Sequence, residues 1–258
     1  MLGAIAGDVI GSVFEFKGWK NVEFPLFSPE STFTDDSVLT AAVAAAILDG
    51  RDYAEAIRDF GRRYPGRGYG GFFSRWLADP TMGPYNSWGN GSAMRVGPVG
   101  LAFDSLERVL AEAKRSAAVT HNHPEGIRGA QAVALAVFLG AHAADKRTIR
   151  LEIESRLGYR LDRSVSEIRP RYQFDESCQG SVPESITCFL ESEDFENAVR
   201  LAVSLGGDAD TMACIAGAIA EPFYGGVPAD LAAMVRTRLS TELVEIVDRF
   251  QARFGTAR

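Results

Sequence analysis

The sequence predicts an all-α fold, a compact single domain of about ten helices over residues 1–258 with long loops between some of them. Three observations carry that prediction. Apolar residues recur three and four apart through most of the chain, the spacing of a helical face. Strand-like and helix-like segments do not alternate, and no whole unit repeats. No low-complexity linker divides the 258 residues, and 46% of them are hydrophobic, enough for one sizeable core.

The first helix is expected over Gly3–Phe16. Gly3, Gly7 and Gly11 line one of its faces, at about 1 kcal/mol each relative to alanine. Such a face suits very close approach by another helix or a ligand. Asp8 and Glu15, seven apart, would share a face two turns from each other. Asp35–Leu48 is apolar almost all round, the mark of a buried helix, and Asp49-Gly50 stops it. Tyr53–Arg63 is amphipathic. Tyr64–Gly71 and Pro80–Gly91 read as loops. Ser92 opens a helix that breaks near Gly97-Pro98. Ser105–Ala118 and Glu125–Ala144 are helical in pattern. Arg147–Leu157 and Ser164–Ile168 are polar, and their pattern is ambiguous. Helices are expected at Pro183–Glu191 and Phe195–Leu205. Thr211–Ala220 is small and apolar, a second buried helix, and Leu231–Phe254 is a final amphipathic one.

Composition excludes some functions. The formal net charge of −7 does not suit bulk binding to a nucleic-acid backbone. The start, Met1-Leu2-Gly3-Ala4-Ile5-Ala6-Gly7-Asp8, has no basic n-region and does not read as a signal peptide. No apolar stretch reaches about 18 residues without a charge, so no membrane span is expected. Cys178, Cys188 and Cys214 are too scattered for a disulfide framework. A cytoplasmic monomer is the expectation.

The chemistry concentrates in two acidic clusters, Thr34-Asp35-Asp36-Ser37 and Gly206-Gly207-Asp208-Ala209-Asp210-Thr211. Alone, each is an ordinary helix start. Thr34 could cap, and the aspartates would favour the positive end of the helix dipole. Together they are harder to dismiss, because each leads into a helix that is apolar all round. Carboxylates carried into such surroundings are costly unless neutralised. The donors are hard oxygens without histidine or cysteine, which suit Mg²⁺, Mn²⁺ or Ca²⁺ and not zinc. With Glu15, the four aspartates carry five negative charges; one divalent ion leaves three, two leave one. Two ions are therefore expected if the clusters meet.

Other motifs are weaker alone. Gly89-Asn90-Gly91-Ser92-Ala93-Met94-Arg95 is a glycine-rich turn opening a helix, a place for phosphate or simply a turn capped by Ser92. Thr120-His121-Asn122-His123-Pro124 reads first as a polar loop with Pro124 in the first turn of a helix. If His121 acts, hydrogen bonding to a phosphate or ribose suits it better than metal ligation. His142 lies inside a helix and reads as structural. No Ser-His-Asp order is present, and Cys214 reads as a small packing residue.

In chain order, Gly7-Asp8-Val9-Ile10-Gly11 with Glu15, Thr34-Asp35-Asp36, the Gly89–Arg95 turn, Thr120-His121 and Gly206–Thr211 resemble the ADP-ribosylglycohydrolases, from residue 3 to about residue 226. The resemblance implies an all-α fold and a binuclear Mg²⁺ or Mn²⁺ site made by Thr34, Asp35, Asp36, Asp208, Asp210 and Thr211. It implies catalytic roles for Glu15, Asp35 and Asp208. Asn90, Gly91, Ser92 and His121 match positions that line an ADP-ribose pocket. Arg95 matches the motif as either an ion-pair residue or a ligand contact.

The implied reaction is hydrolysis at C1 of the distal ribose, releasing ADP-ribose, with arginine linkage favoured. Glu15 or a metal-bound aspartate would be the general base. Tyr69 or Trp88 could stack on adenine. The implied partner is an ADP-ribosylated protein or an ADP-ribose-containing small molecule. Alternatives are another ADP-ribose derivative, ADP-ribosylated nucleic acid, or a catalytically silent ADP-ribose-binding protein. One departure bears on linkage. Where arginine-specific relatives carry an aspartate after a proline, Pro65-Gly66-Arg67-Gly68-Tyr69-Gly70 has no carboxylate.

Overall fold

Helices fill the protein, and the described residues contain no strand, only an isolated antiparallel bridge between Gly89 and Ser177. The structure, a computed structural model, describes residues 1–255. In order the helices are α1 (Leu2–Gly11), α2 (Asp35–Asp49), α3 (Tyr53–Arg63), α4 (Gly71–Ala78), α5 (Gly91–Met94), α6 (Gly97–Ala102), α7 (Leu106–Ala118), α8 (Pro124–Ala141), α9 (Lys146–Leu157), α10 (Val165–Ile168), α11 (Cys178–Glu191), α12 (Phe195–Val203), α13 (Ala209–Tyr224), α14 (Ala229–Arg236) and α15 (Thr241–Phe254).

The centre is α13, which packs on α1, α8, α11 and α12. Every residue of α1 is buried, as is α13 from Ala209 through Ala220. The two run antiparallel, and the glycine face lets their backbones touch. A Cβ at Gly7 would overlap the carbonyl of Ala213, and one at Gly11 would lie 2.5 Å from the carbonyl oxygen of Ala209. The face therefore serves a helix and not a ligand. Small residues on both helices let α1 and α13 pack backbone to backbone, and dispersion replaces the bulk that side chains would bring.

Some boundaries differ from the sequence pattern. The first helix stops at Gly11 and not at Phe16. Tighter three-residue turns follow, with the N–H of Phe14 donating to Gly11 O at 2.7 Å. Phe14 folds inward onto Phe24, ring centroids 4.7 Å apart. Glu15 consequently sits in a loop, not one helical face with Asp8. α11 begins at Cys178, ahead of Pro183, because Ser177 caps it by accepting from Gly180 N at 3.1 Å. The final stretch divides in two, with Ser240 capping α15. The ambiguous segments 147–157 and 164–168 are helical, each with a capping side chain, Asp145 and Ser164.

Candidate active site

The acids meet because three helix ends meet. The antiparallel arrangement brings the last turn of α1, with Asp8, to the N-terminus of α13, and α2 begins beside both. Two positive dipole ends therefore face one small volume, which favours negative charge there. The Glu15 loop is pinned to the segment before α13. Lys20 Nζ donates to the carbonyls of Tyr172, at 2.5 Å, and Leu205. Gly206, at φ +66°, lets the Gly18–Trp19 backbone lie against it, with no room for a side chain.

Carboxylate oxygens of Asp8, Asp36 and Asp210 lie within 4.8 Å of one another, as do those of Glu15, Asp208 and Asp210. The two sets share Asp210. Asp36, Asp208 and Asp210 are buried, and Glu15 is half-buried. Thr211 Oγ1 donates to Asp36 Oδ2 at 3.3 Å. Thr34 Oγ1 caps α2 by accepting from Asp36 N at 3.3 Å and donates to Asp8 Oδ1 at 2.7 Å. The capping and site readings of Thr34 are thus both realised. Asp35 belongs to neither set. Its N–H donates to Arg67 O at 2.8 Å, and its carboxyl lies beside Gly68.

Burial, first, and mutual repulsion, second, hold these carboxyls up. Asp35, Asp36 and Asp210 are well above the usual range, with repulsion from neighbouring aspartates added to desolvation. Asp208 is raised to about 6, chiefly by burial. Glu15 is raised to about 7 by burial, then by the charges of Asp210 and Asp8. Asp36 Oδ1 is buried with no hydrogen-bond partner. An orphaned carboxylate oxygen among crowded acids, with no basic side chain of the described residues paired to any of them, fits a hard divalent cation.

Asp8 was missing from the sequence-level ligand set. Its carboxylate accepts from Thr34 N at 3.0 Å, Thr34 Oγ1, Ser37 N at 3.1 Å and Ser37 Oγ, so it fixes the first turn of α2 to α1. Its signals were an acid in an apolar helix and its place in the Gly7–Gly11 motif, neither of which marks it as a ligand.

The glycine turn borders the acids. Asn90 Nδ2 donates to Asp208 Oδ2 at 2.7 Å and to Ser181 Oγ at 3.2 Å, and Asn90 N to Glu176 O at 2.8 Å. α5 is a single turn beginning at Gly91, and Ser92 does not cap it: the buried Ser92 hydroxyl donates to Gly126 O at 2.7 Å. His121 Nε2 faces the turn, 3.1 Å from where a Gly91 Cβ would be. Trp88 is exposed and edge-on to His123, while Tyr69 packs on Phe73 and donates to Tyr64 O at 2.9 Å. Phe72 and Tyr85, which sequence reasoning passed over, stack at 5.9 Å, with Tyr85 6.0 Å from His121. On the Glu15 side is a cleft of about 320 Å³, rimmed by the stacked, exposed Phe16 and Phe174.

A sequence profile described as ADP-ribosylglycohydrolase matches residues 1–258. The chain belongs to that family. ADP-ribosylglycohydrolases are enzymes that hydrolyse glycosidic bonds. Among relatives, ADP-ribosylhydrolase ARH3 of Mus musculus is 28% identical over 305 residues, covering 87% of this chain and 82% of its own length. ADP-ribosylarginine hydrolase Tri1 of Pseudomonas putida is 25% identical over 264 residues, covering 88% and 71%. A solved structure described as an ADP-ribosylglycohydrolase-related protein complex superposes with a TM-score of 0.70 at 25% identity, covering 99% of this chain and 97% of that one. The all-α expectation is met on both counts, by the helices themselves and by this likeness.

Proposed function

We propose that this ADP-ribosylglycohydrolase cleaves the bond at C1 of the distal ribose of an ADP-ribosyl group and releases ADP-ribose from a modified protein. The observation that carries the reading is the convergence of Glu15 with Asp208 and Asp210, beside a glycine turn whose Asn90 holds Asp208. Asp36, Asp208 and Asp210, with Thr34, Asp35 and Thr211 beside them, would hold divalent cations, Mg²⁺ or Mn²⁺, two by charge. Bound there, such ions would neutralise the acids and polarise the ribose diol and water.

The chain's own groups do the rest. Glu15, at a cleft open to solvent, accepts the proton of the attacking water. The water oxygen bonds to C1 as the bond from C1 to the leaving nitrogen or oxygen breaks. The bonding pair leaves with that atom, which is then protonated. The transition state is oxocarbenium-like. Asp35 and Asp208 orient the ribose, and the Asn90–Ser92 backbone with His121 holds the diphosphate.

Arginine linkage is supported by the likeness to a relative named for ADP-ribosylarginine. A second reading, an oxygen linkage, is favoured by the 65–70 loop. It lies against Asp35 with no carboxylate to pair a guanidinium, and Arg67 sits there instead, stacked 3.7 Å from the Phe33 ring. A panel of arginine-, serine- and ester-linked ADP-ribose tests both. Release from at least one by the wild type, and its loss in Glu15→Gln, is the expected result. No release from any of them would end the reading.

A further inference from the structure

Arg95 fits neither sequence-level role. It is fully buried, pairs with no carboxylate among the described residues, and its Nε and Nη1 are sealed without partners. It therefore cannot reach a ligand. Its Nη2 donates to Ser116 O at 3.0 Å and to Thr120 Oγ1 at 2.9 Å. A guanidinium buried with Nε and Nη1 both unmet is costly, so its position calls for a reason.

The next bond supplies one. Thr120 Oγ1 and His121 Nδ1 are 2.7 Å apart. Thr120 is completely buried, so its hydroxyl hydrogen has no solvent to point to. Arg95 already donates to that oxygen, and among the described residues the one acceptor left within hydrogen-bond reach is His121 Nδ1. Nδ1 must then be unprotonated, and the neutral ring carries its proton on Nε2. Burial and the neighbouring Arg95 charge push the His121 pKa well down, which keeps the ring neutral. Nε2 faces the glycine turn, 3.1 Å from a Cβ position at Gly91 and 3.6 Å from one at Gly89, so no side chain of either glycine stands between the ring and the turn.

We infer that Arg95 is a positioning residue: through the Thr120 hydroxyl it fixes His121 as the Nε2–H tautomer, a neutral donor aimed at an acceptor oxygen seated on the Gly89–Gly91 turn. The ligand part rests on the proposed function, in which that oxygen belongs to the ADP-ribose diphosphate. The relay itself does not.

Nitrogen-15 spectra of the histidine rings, with His121→Gln for assignment, report which nitrogen is protonated. Calorimetric titration with ADP-ribose reports the donor's use. In the wild type the His121 proton is expected on Nε2. Thr120→Val, close in shape but without the hydroxyl, is expected to mix the tautomers and weaken ADP-ribose binding about tenfold. Thr120→Ser is expected to restore both. A wild-type proton on Nδ1 overturns the relay without any variant. So does a Thr120→Val protein with unchanged tautomer or unchanged affinity. An Nε2-protonated wild type that releases no ADP-ribose from any linkage and does not bind it would instead overturn the proposed function and leave the relay standing.

Discussion

Glu15 and Asp8 face the same acids from different settings, and that decides what each does. Glu15 is half-buried at a cleft, and without cations burial, then the charges of Asp210 and Asp8, raise its pKa to about 7. Glu15→Gln keeps the shape and removes the proposed base. Turnover should fall by about 10²-fold or more, with ADP-ribose binding within a few fold, read by product release and calorimetry. Undiminished turnover would remove Glu15 from the mechanism. Asp8 is sealed, and its carboxylate accepts from both the backbone and the hydroxyls of Thr34 and Ser37. It holds the turn that aims Asp36. Asp8→Asn should weaken Mn²⁺ binding by roughly 10–100-fold, measured by titration, while the helical circular dichroism is kept. Wild-type affinity in that variant would reduce Asp8 to a packing residue. Spacing could not separate these two acids, because a supposed single helix placed them on one face, and only the resemblance gave Glu15 a role of its own. Only the turn after Gly11 sets them apart.

At the scale of elements, the α1–α13 contact is what positions the site. The Cβ of Gly7→Ala would meet the backbone of Ala213, which cannot rotate away as a side chain could. Overpacking of that kind costs about 3 kcal/mol, roughly 6–12 °C in Tm for a chain this long. A thermal melt checks it, and an unchanged Tm would mean the helices separate easily. The glycine spacing was legible as a demand for close approach, since three glycines on one face weaken a helix unless a tight contact offsets the loss. The two buried helices were legible for a similar reason, being apolar all round. Helix ends were less so. Ser177 and Ser240 cap helices that the pattern began elsewhere or ran together, because a serine's capping bond depends on where the chain turns and not on its neighbours' polarity. Ser92 shows the reverse. Its place in a glycine turn suggested a cap or a ligand contact, yet its hydroxyl is held by Gly126 O, a contact between segments that no local pattern records.

Across the whole molecule, folding forces carboxylates into one low-dielectric volume and leaves them unpaired. Asp208 is raised from 3.8 to about 6 and Glu15 from 4.5 to about 7. The folded chain therefore holds more protons than the unfolded chain between those values. Stability from these groups is full below about pH 4 and is lost as pH rises through about 6 to 7. In EDTA, Tm should fall from pH 5 to pH 8, and added Mg²⁺ should raise it more at pH 8. A Tm that climbs over that range in EDTA would contradict the crowding of the acids. Among the described residues no helix is long and apolar enough to cross a membrane.

The central claim is that the acids of α1, α2, α13 and the Glu15 loop form one cation-dependent hydrolytic site. Release of ADP-ribose from a modified substrate, measured in EDTA and again after excess Mg²⁺ or Mn²⁺, tests it most directly, with Asp36→Ala/Asp208→Ala alongside. The prediction is loss of release in EDTA, recovery on adding either ion to the wild type, and no recovery in the double variant. Full release in EDTA, or from the double variant, would contradict it.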